Sequence, residues 1–301
     1  MSENYRIEKR ATINTKAWDA CINNSINKLI YAYSWYLDAM CDNWEALILN
    51  DYEAVMPLPI RYKWGIKYVY QPAFIQQLGL FYSKNAVFNC NKIEKILNRN
   101  YLYGNFQVNA NWKNSTENVI ITKHNMLVPL TNNYDIIFSN YSRDFVRNLK
   151  KSSNQPLTYN KSTDFIGLID RYKHYYGKRF PHTKESDYNK LKYLVENLLN
   201  NSGNYMIRSI SNDKNEIIAE VLLLMDNNRY YNIMNCVNAE GRKKSANYFL
   251  YDNLLKEISG QEKLLDLEGS EIAGIKAFYQ NFNPLTESYY VVKIGLLRGI
   301  L

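Results

Sequence analysis

The chain is poor in the residues that most often announce a chemistry. It has three histidines, His124, His174 and His182, in 301 residues, and none sits in a motif with a Ser or Cys partner. A Ser–His or Cys–His relay therefore has no sequence support. Its four cysteines, Cys21, Cys41, Cys90 and Cys236, are widely scattered, without CxxC and without His at metal-ligand spacing. That excludes a thiolate metal cluster and a disulfide framework, and fits reduced thiols in a cytoplasmic protein. No long apolar run exists. The longest clean one near the middle, VLLLM at Val221–Met225, is far too short to cross a bilayer. The first residues, MSENYRIEKR, carry too much charge for a secretory leader. No transmembrane segment and a cytoplasmic location are the expectation.

What is present is ample apolar material and an excess of positive charge. Hydrophobic residues make up 46% of the chain, enough for a packed core, and Tyr alone occurs 27 times. The formal charge is +8. Such a balance suits a polyanionic partner such as a nucleotide, RNA or an anionic membrane face, and equally a surface of solvated lysines.

One plan recurs along the chain. Helical periodicity over Thr15 to Ile26 and Tyr31 to Met40 is followed by two β-rich runs broken at Asn50-Asp51. A short strand at Gly65 to Tyr70, a helix at Asn91 to Arg99, and strands at Asn105 to Asn109 and Asn118 to Ile121 complete the first half. In the second half, helices at Asp164 to Tyr176 and Ser186 to Asn200 precede three strands separated by turn residues at Asn212-Asp213 and Asp226-Asn227-Asn228. A helix at Ser245 to Ile258, a strand at Lys263 to Glu268, a helix at Ile272 to Asn281 and a strand at Tyr289 to Ile294 follow. The expectation is an α/β (α+β) protein of two tandem units, each a mixed, mostly antiparallel sheet flanked by helices. The boundaries are 1–133, a basic connecting helix at 134–155, and 156–301. At 100° per residue that helix puts Arg143, Arg147, Lys150 and Lys151 on one face and Phe138, Phe145 and Leu149 on the other. Its basic face is either a solvated back or an anion-binding surface.

Two stretches of the second half carry the chemistry. In LDLEGSEIAGIKAFYQNFNP, strand alternation puts Asp266 and Glu268 on one face, Gly269 frees the turn, and Ser270 suits a helix N-cap. A carboxylate at the C-terminal end of a strand lies where open α/β sheets place ligands, and burial suits it to remove a proton. Either acid could instead hold a loop through backbone hydrogen bonds. In NAEGRKKSANYF, three cations, Arg242, Lys243 and Lys244, precede a helix start near Ser245, a phosphate site or a solvated turn. The basic-aromatic stretch RYKHYYGKRFPH could line a substrate entrance.

With three antiparallel strands, a basic turn into a helix, then strand, helix and strand, the second half resembles the GNAT acyltransferase fold. The LDLEGS…FYQNFNP corner resembles the D-F-E-G-S…F-Y-x-x-F-G element of its Fem-type branch, which carries two such units in tandem. SNYSRDFVRNLKKS, YSWYLDAM and QQLGLFY resemble further segments of that branch, so the resemblance spans nearly the whole chain. It implies an acyltransferase moving an acyl or aminoacyl group onto a small-molecule or peptide amine. The co-substrate would be acyl-CoA or aminoacyl-tRNA, with no tightly bound cofactor and no metal.

On that resemblance Asp266 or Glu268 handles the acceptor amine, and Arg242, Lys243, Lys244, Ser245 and Asn247 hold the donor. Phe278 and Tyr279 shape the pocket wall, and Arg143, Arg147 and Lys150 bind an anionic substrate such as tRNA. The first half, without a counterpart of LDLEGS, completes the groove through Trp64 and Tyr70 and is non-catalytic. One departure stands out. Ser245 and Asn247 occupy the glycine places of the donor loop, where extra side chains crowd a pyrophosphate. A non-catalytic GNAT-like module that binds an anionic ligand or RNA is the alternative.

Overall fold

The computed structural model describes residues 3–114, 119–201, 204–269 and 272–297. The chain packs as two compact units, Met1–Lys123 with Ser288–Leu301, and His124–Glu287. Its elements run in the expected order: β1 (Tyr5–Lys9), α1 (Thr15–Asn24), α2 (Ser34–Met40), β2 (Trp44–Leu49), β3 (Ala54–Lys63), β4 (Ile66–Val69), β5 (Phe81–Tyr82), α3 (Cys90–Asn100), β6 (Tyr103–Val108) and β7 (Val119–Pro129). There follow α4 (Tyr134–Ser139), α5 (Arg143–Ser153), β8 (Thr158–Ser162), α6 (Phe165–Tyr176), α7 (Glu185–Asn201), β9 (Tyr205–Ser211), β10 (Ile217–Met225) and β11 (Arg229–Val237). Last come α8 (Ala239–Lys243), α9 (Ala246–Ile258), β12 (Leu264–Asp266), α10 (Ala273–Gln280) and β13 (Leu285–Ile294).

Within the first unit, strands β1 to β4 form antiparallel neighbours, β4 runs parallel to β6, and β6 pairs antiparallel with β13. The turn between β2 and β3 puts Asn50 at φ +49°, a conformation Asn tolerates better than most residues. Leu47, Leu49, Met56, Leu58, Ile93, Leu97, Phe106 and Val292 make its core. Beyond Val69 the segment up to Leu80 lies along β6. Leu78 bridges Val108 in parallel, and the Gln107 N–H donates to Gln71 Oε1 at 2.7 Å.

The second unit repeats this order. Strands β8 to β11 are antiparallel, β11 runs parallel to β12, and β12 pairs antiparallel with β7. Helix α9 covers one face with Leu250, Tyr251, Leu254, Leu255 and Ile258, and α5 adds Phe145 and Leu149 to the same core. Each unit is thus a mostly antiparallel sheet with a single parallel pair among its described strands, flanked by helices.

The structure refines several boundaries. The segment 134–155 forms two helices because Ser142 caps a new start, accepting the Phe145 N–H at 3.0 Å. Phe145 and Leu149 are buried, but Phe138 stays 37% exposed. Both helices lie in the second unit, and residues 288–301 in the first. β7 extends to Pro129, eight residues past the expected end, its expected start at Asn118 lying outside the described residues. Strands β1, β5 and β8 carry no clean alternation and were not expected.

Candidate functional site

The parallel pair β11–β12 is the structural origin of the site. Its register ends at Tyr231↔Asp266, yet β11 continues six residues to Val237. The chain after β12 stays with β7, the Leu267 N–H donating to Met126 O at 2.9 Å. The two strands therefore part, and a cavity of about 520 Å³ opens between them. Asn232, Ile233, Met234 and Asn235 line it from β11, and Leu267, Glu268 and Gly269 from the other side. At this opening β11 bulges. Leu222 faces Met234 and Leu223 faces Asn232, so Ile233 has no counterpart on β10.

The two acids of the corner have separate places. β12 ends at Asp266, so the expected shared strand face does not form; Glu268 lies past the strand in the left-handed region at φ +62°. Asp266 is fully buried and ion-paired with Arg229 at 2.9 Å, and Arg229 also reaches Glu287 at 3.2 Å. Burial raises the Asp266 carboxyl above its ordinary value, against Arg229, the Glu268 N–H and Asn125, which all favour its charge. Glu268 instead lines the cavity, and burial pushes it up to about 8. Gly269 follows at φ +47°, where a Cβ would come within 2.3 Å of His124 O. Only glycine fits there. Ser270, the expected N-cap, lies outside the described residues.

Opposite Glu268 stands a small polar group. Asn232 Nδ2 donates to the hydroxyls of Tyr251 and Tyr279, at 2.8 and 2.9 Å. Its Oδ1 is buried and has no partner among the described residues. Burial raises the Tyr279 hydroxyl, and the Glu268 charge adds to the rise. Phe278, Tyr248, Ile272 and Ile275 supply the apolar wall. Phe278 and Tyr279, expected in a pocket wall, both line this cavity.

The basic turn differs from its expectation. Residues Ala239–Lys243 form a short helix capped by Asn238, whose side chain accepts the Gly241 N–H at 2.7 Å. The N–H groups of Arg242, Lys244 and Ser245 are taken by Asn238 O, Glu240 O and Arg242 O. These three amides of the turn are thus bonded within the chain. Lys244 pairs with Glu240 at 2.8 Å, and Lys243 is exposed and outside the lining. Ser245 sits at φ +55° with no side-chain capping bond, and Asn247 forms a reciprocal amide pair with Asn235 at 2.9 and 3.0 Å. Of this group Arg242, Ser245 and Asn247 line the cavity.

A second guanidinium, Arg179, lines it too, with Tyr172, Tyr176 and Phe180 beside it. Arg179 stacks on Tyr176 at 5.2 Å, and Tyr176 Oη donates to Val237 O at 3.1 Å. No sequence signal distinguishes Arg179 from the other cations of its basic, aromatic stretch RYKHYYGKRFPH. Arg143, Arg147 and Lys150 are exposed and outside the lining; Arg147 pairs with Asp144. Tyr70 is buried and its hydroxyl takes the Asp42 N–H at 3.0 Å, a structural role within its own unit. His124, His174 and His182 are exposed and none lines the cavity.

No family model matches this sequence, and no curated protein does. Solved structures match over nearly all of it. FemX superposes with a TM-score of 0.63 at 12% identity, covering 96% of this chain and 97% of its own. L-PGS from Bacillus licheniformis gives 0.55 at 10%, covering 95% and 93%. A tandem GNAT protein from the clavulanic acid biosynthesis pathway gives 0.53 at 6%, covering 96% and 98%. The fold is that of the Fem-type, tandem GNAT-like proteins.

Proposed function

We propose that the second unit transfers an acyl or aminoacyl group from an activated donor to an amine, with Glu268 as the proton acceptor. The observation that carries this reading is the position of Glu268. It is a half-buried residue whose Oε1 is sealed from solvent, its pKa pushed up to about 8, lining a cavity between parting strands of an acyltransferase-like fold. A base poised near the working pH combines a usable deprotonated fraction with real basicity.

In this scheme the acceptor nitrogen enters beside Asn232 Oδ1, whose unfilled acceptor capacity suits an N–H donor. The nitrogen attacks the acyl carbon, and Glu268 takes the proton it loses. N–H groups of the bulged segment at Ile233 receive the charge that develops on the carbonyl oxygen. The bond to the leaving oxygen or sulfur then breaks, and the proton passes from Glu268, by way of the Tyr279 hydroxyl, to that atom. Asp266 holds the corner and touches no substrate.

The donor favoured is an aminoacyl ester on tRNA. The internally bonded amides of Arg242, Lys244 and Ser245, with Lys244 engaged by Glu240, weigh against a CoA pyrophosphate held along this turn. Arg179 and Arg242, both lining the cavity, suit a phosphodiester backbone. Thermal stabilisation by charged tRNA, CoA, acetyl-CoA and polyphosphate tests the assignment. A ligand at 100 times its Kd adds about 2.7 kcal/mol. Stabilisation by charged tRNA beyond that by polyphosphate is the expected result. A preference for acetyl-CoA reverses the donor assignment. Equal effects of all four polyanions remove the enzymatic reading and leave a module that binds anions.

A further inference from the structure

The first unit gathers large exposed side chains at one end of its sheet. Trp64 is 88% exposed, Tyr62 63% and Ile66 42%, all at the β3–β4 turn. The register extends the patch. Tyr68 pairs with Tyr103 and Ile294 with Gly104, which brings Leu102 and Leu296 to the same end of the sheet. The Leu297 N–H donates to Leu102 O at 2.9 Å. Leu102 and Leu296 are 40% and 68% exposed. Exposed apolar residues scattered singly need no explanation; five converging from three chain segments do.

The turn itself is costly for its residue. Trp64 adopts φ +52° before Gly65 at +76°, a pair of left-handed positions that Asn-Gly would fill with less strain. The ring held there is 88% exposed.

Charge separates the kinds of partner. The hairpin RYKWGIK carries three cations and no acid. Arg61 pairs with Asp42 and Lys67 with Glu45, while Lys63 has no ion pair among the described residues and its ammonium lies 4.6 Å from the Trp64 ring centre. The first unit as a whole has 16 Lys and Arg against 10 Asp and Glu, a formal +6; the second has 21 against 19, or +2. Trp and Tyr beside Leu and Ile, rimmed by Lys and Arg, match the interface of an anionic bilayer, where rings sit at headgroup depth and cations meet lipid phosphate. Nucleic acid would use the rings for stacking but leave Leu102, Leu296 and Ile66 without a role. We propose that this sheet end, with Trp64 at its tip, is a docking surface for the anionic face of a lipid membrane, whatever chemistry the second unit performs.

Tryptophan fluorescence reads this surface as a difference from Trp64→Ala: Trp18, Trp44 and Trp112, at most 1% exposed, give an emission that surface binding leaves constant, and Trp64 at 88% is far more exposed than Trp35 at 37%. The full chain is mixed with phosphatidylcholine vesicles, with and without phosphatidylglycerol. The expected result is co-sedimentation with the anionic vesicles, a blue shift of emission, and quenching by brominated lipid. Trp64→Ala abolishes the shift and lowers partitioning by at least about tenfold. Lys63→Glu lowers it by about fivefold or more, since each basic residue at such a surface contributes measurably. Trp64→Asn is the folding control, because Asn suits the turn and a melting curve no lower than that of the unaltered protein isolates the surface effect. No binding to anionic vesicles overturns the proposal, as does binding indifferent to both Trp64 and Lys63. Trp64-dependent self-association, or Trp64-dependent binding to an RNA homopolymer in place of vesicles, overturns it in favour of another partner.

Discussion

Asp266 Oδ1 accepts the backbone N–H of Glu268 at 2.9 Å, so one acid of the corner holds the backbone of the other. Arg229 secures the opposite oxygen of Asp266, and the pair is almost sealed from water, with side-chain exposures of 13% and 1%. Removing one partner of a buried pair leaves an uncompensated charge and costs about 3–5 kcal/mol. Asp266→Ala is expected to lower stability by about that amount in urea unfolding. A loss under 1 kcal/mol would show that the ion pair does not anchor the corner.

Glu268→Gln keeps the shape of the side chain and removes its basicity. Transfer is expected to fall by about 10²–10⁴-fold, the usual contribution of a positioned base. In the unaltered protein kcat/KM should rise with pH and level off above about 8, because the deprotonated form does the work. A pH profile flat between about 6 and about 9 would remove Glu268 from the mechanism.

The same carboxyl affects stability with a definite sign. Its folded pKa of about 8 lies above its ordinary value of 4.5, so between those pH values the folded state holds a proton that the unfolded state has released. Its contribution is therefore fully present below the unfolded pKa and is lost as pH rises towards 8. Relative to Glu268→Gln, the unaltered protein should lose stability on that rise, by about 1.4 kcal/mol for each unit of displacement. Parallel stability curves for the two proteins from acid to alkaline pH would contradict the burial of this group.

Gly269→Ala places a Cβ 2.3 Å from the carbonyl oxygen of His124 and keeps the residue at φ +47°. The left-handed backbone alone costs about 1–2 kcal/mol for a residue with a side chain, and the clash adds to it. A drop of at least about 2 kcal/mol in denaturant unfolding is expected, with weaker binding in the adjoining cavity. Wild-type stability in this variant would mean that the corner relaxes freely.

Ser245→Gly acts in the other direction. Ser245 occupies φ +55° and makes no side-chain capping bond. Glycine should relieve the conformation and raise the unfolding midpoint, by about 1 kcal/mol in stability. Binding of CoA should stay unchanged, because the neighbouring amides remain bonded to Asn238 O and Glu240 O. A gain in CoA affinity would place the side chain at position 245, and not those amides, as the barrier.

The order of elements was legible because it rests on strong local signals. The Asn50 turn, the apolar face of α7 and the turn residues at 212–213 and 226–228 lie where the pattern put them. The corner motif led to Glu268 and Tyr279 for the same reason, since the glycine and the following aromatic helix carry their own geometry. Other features depend on distant partners. Strand β8 forms because β9 offers an edge, and β12 stops at Asp266 because the chain follows β7, neither visible in a local window. Lys244 looked free in the sequence, but Glu240 one turn earlier takes it. Asn232 gave no signal at all, because its importance lies in two tyrosine hydroxyls 19 and 47 residues away.

The pairing of β13 with β6 has a consequence for how the protein is made. Ile294 lies against Gly104, 190 residues downstream, with Val292 and Ile294 buried in the core of the first unit. A ribosome must therefore finish almost the whole second unit before the first can close its sheet. Until then the β6 edge stands open, a template for wrong pairing that the nascent chain must survive. Assembly order runs against sequence order here: the unit that emerges first is completed last.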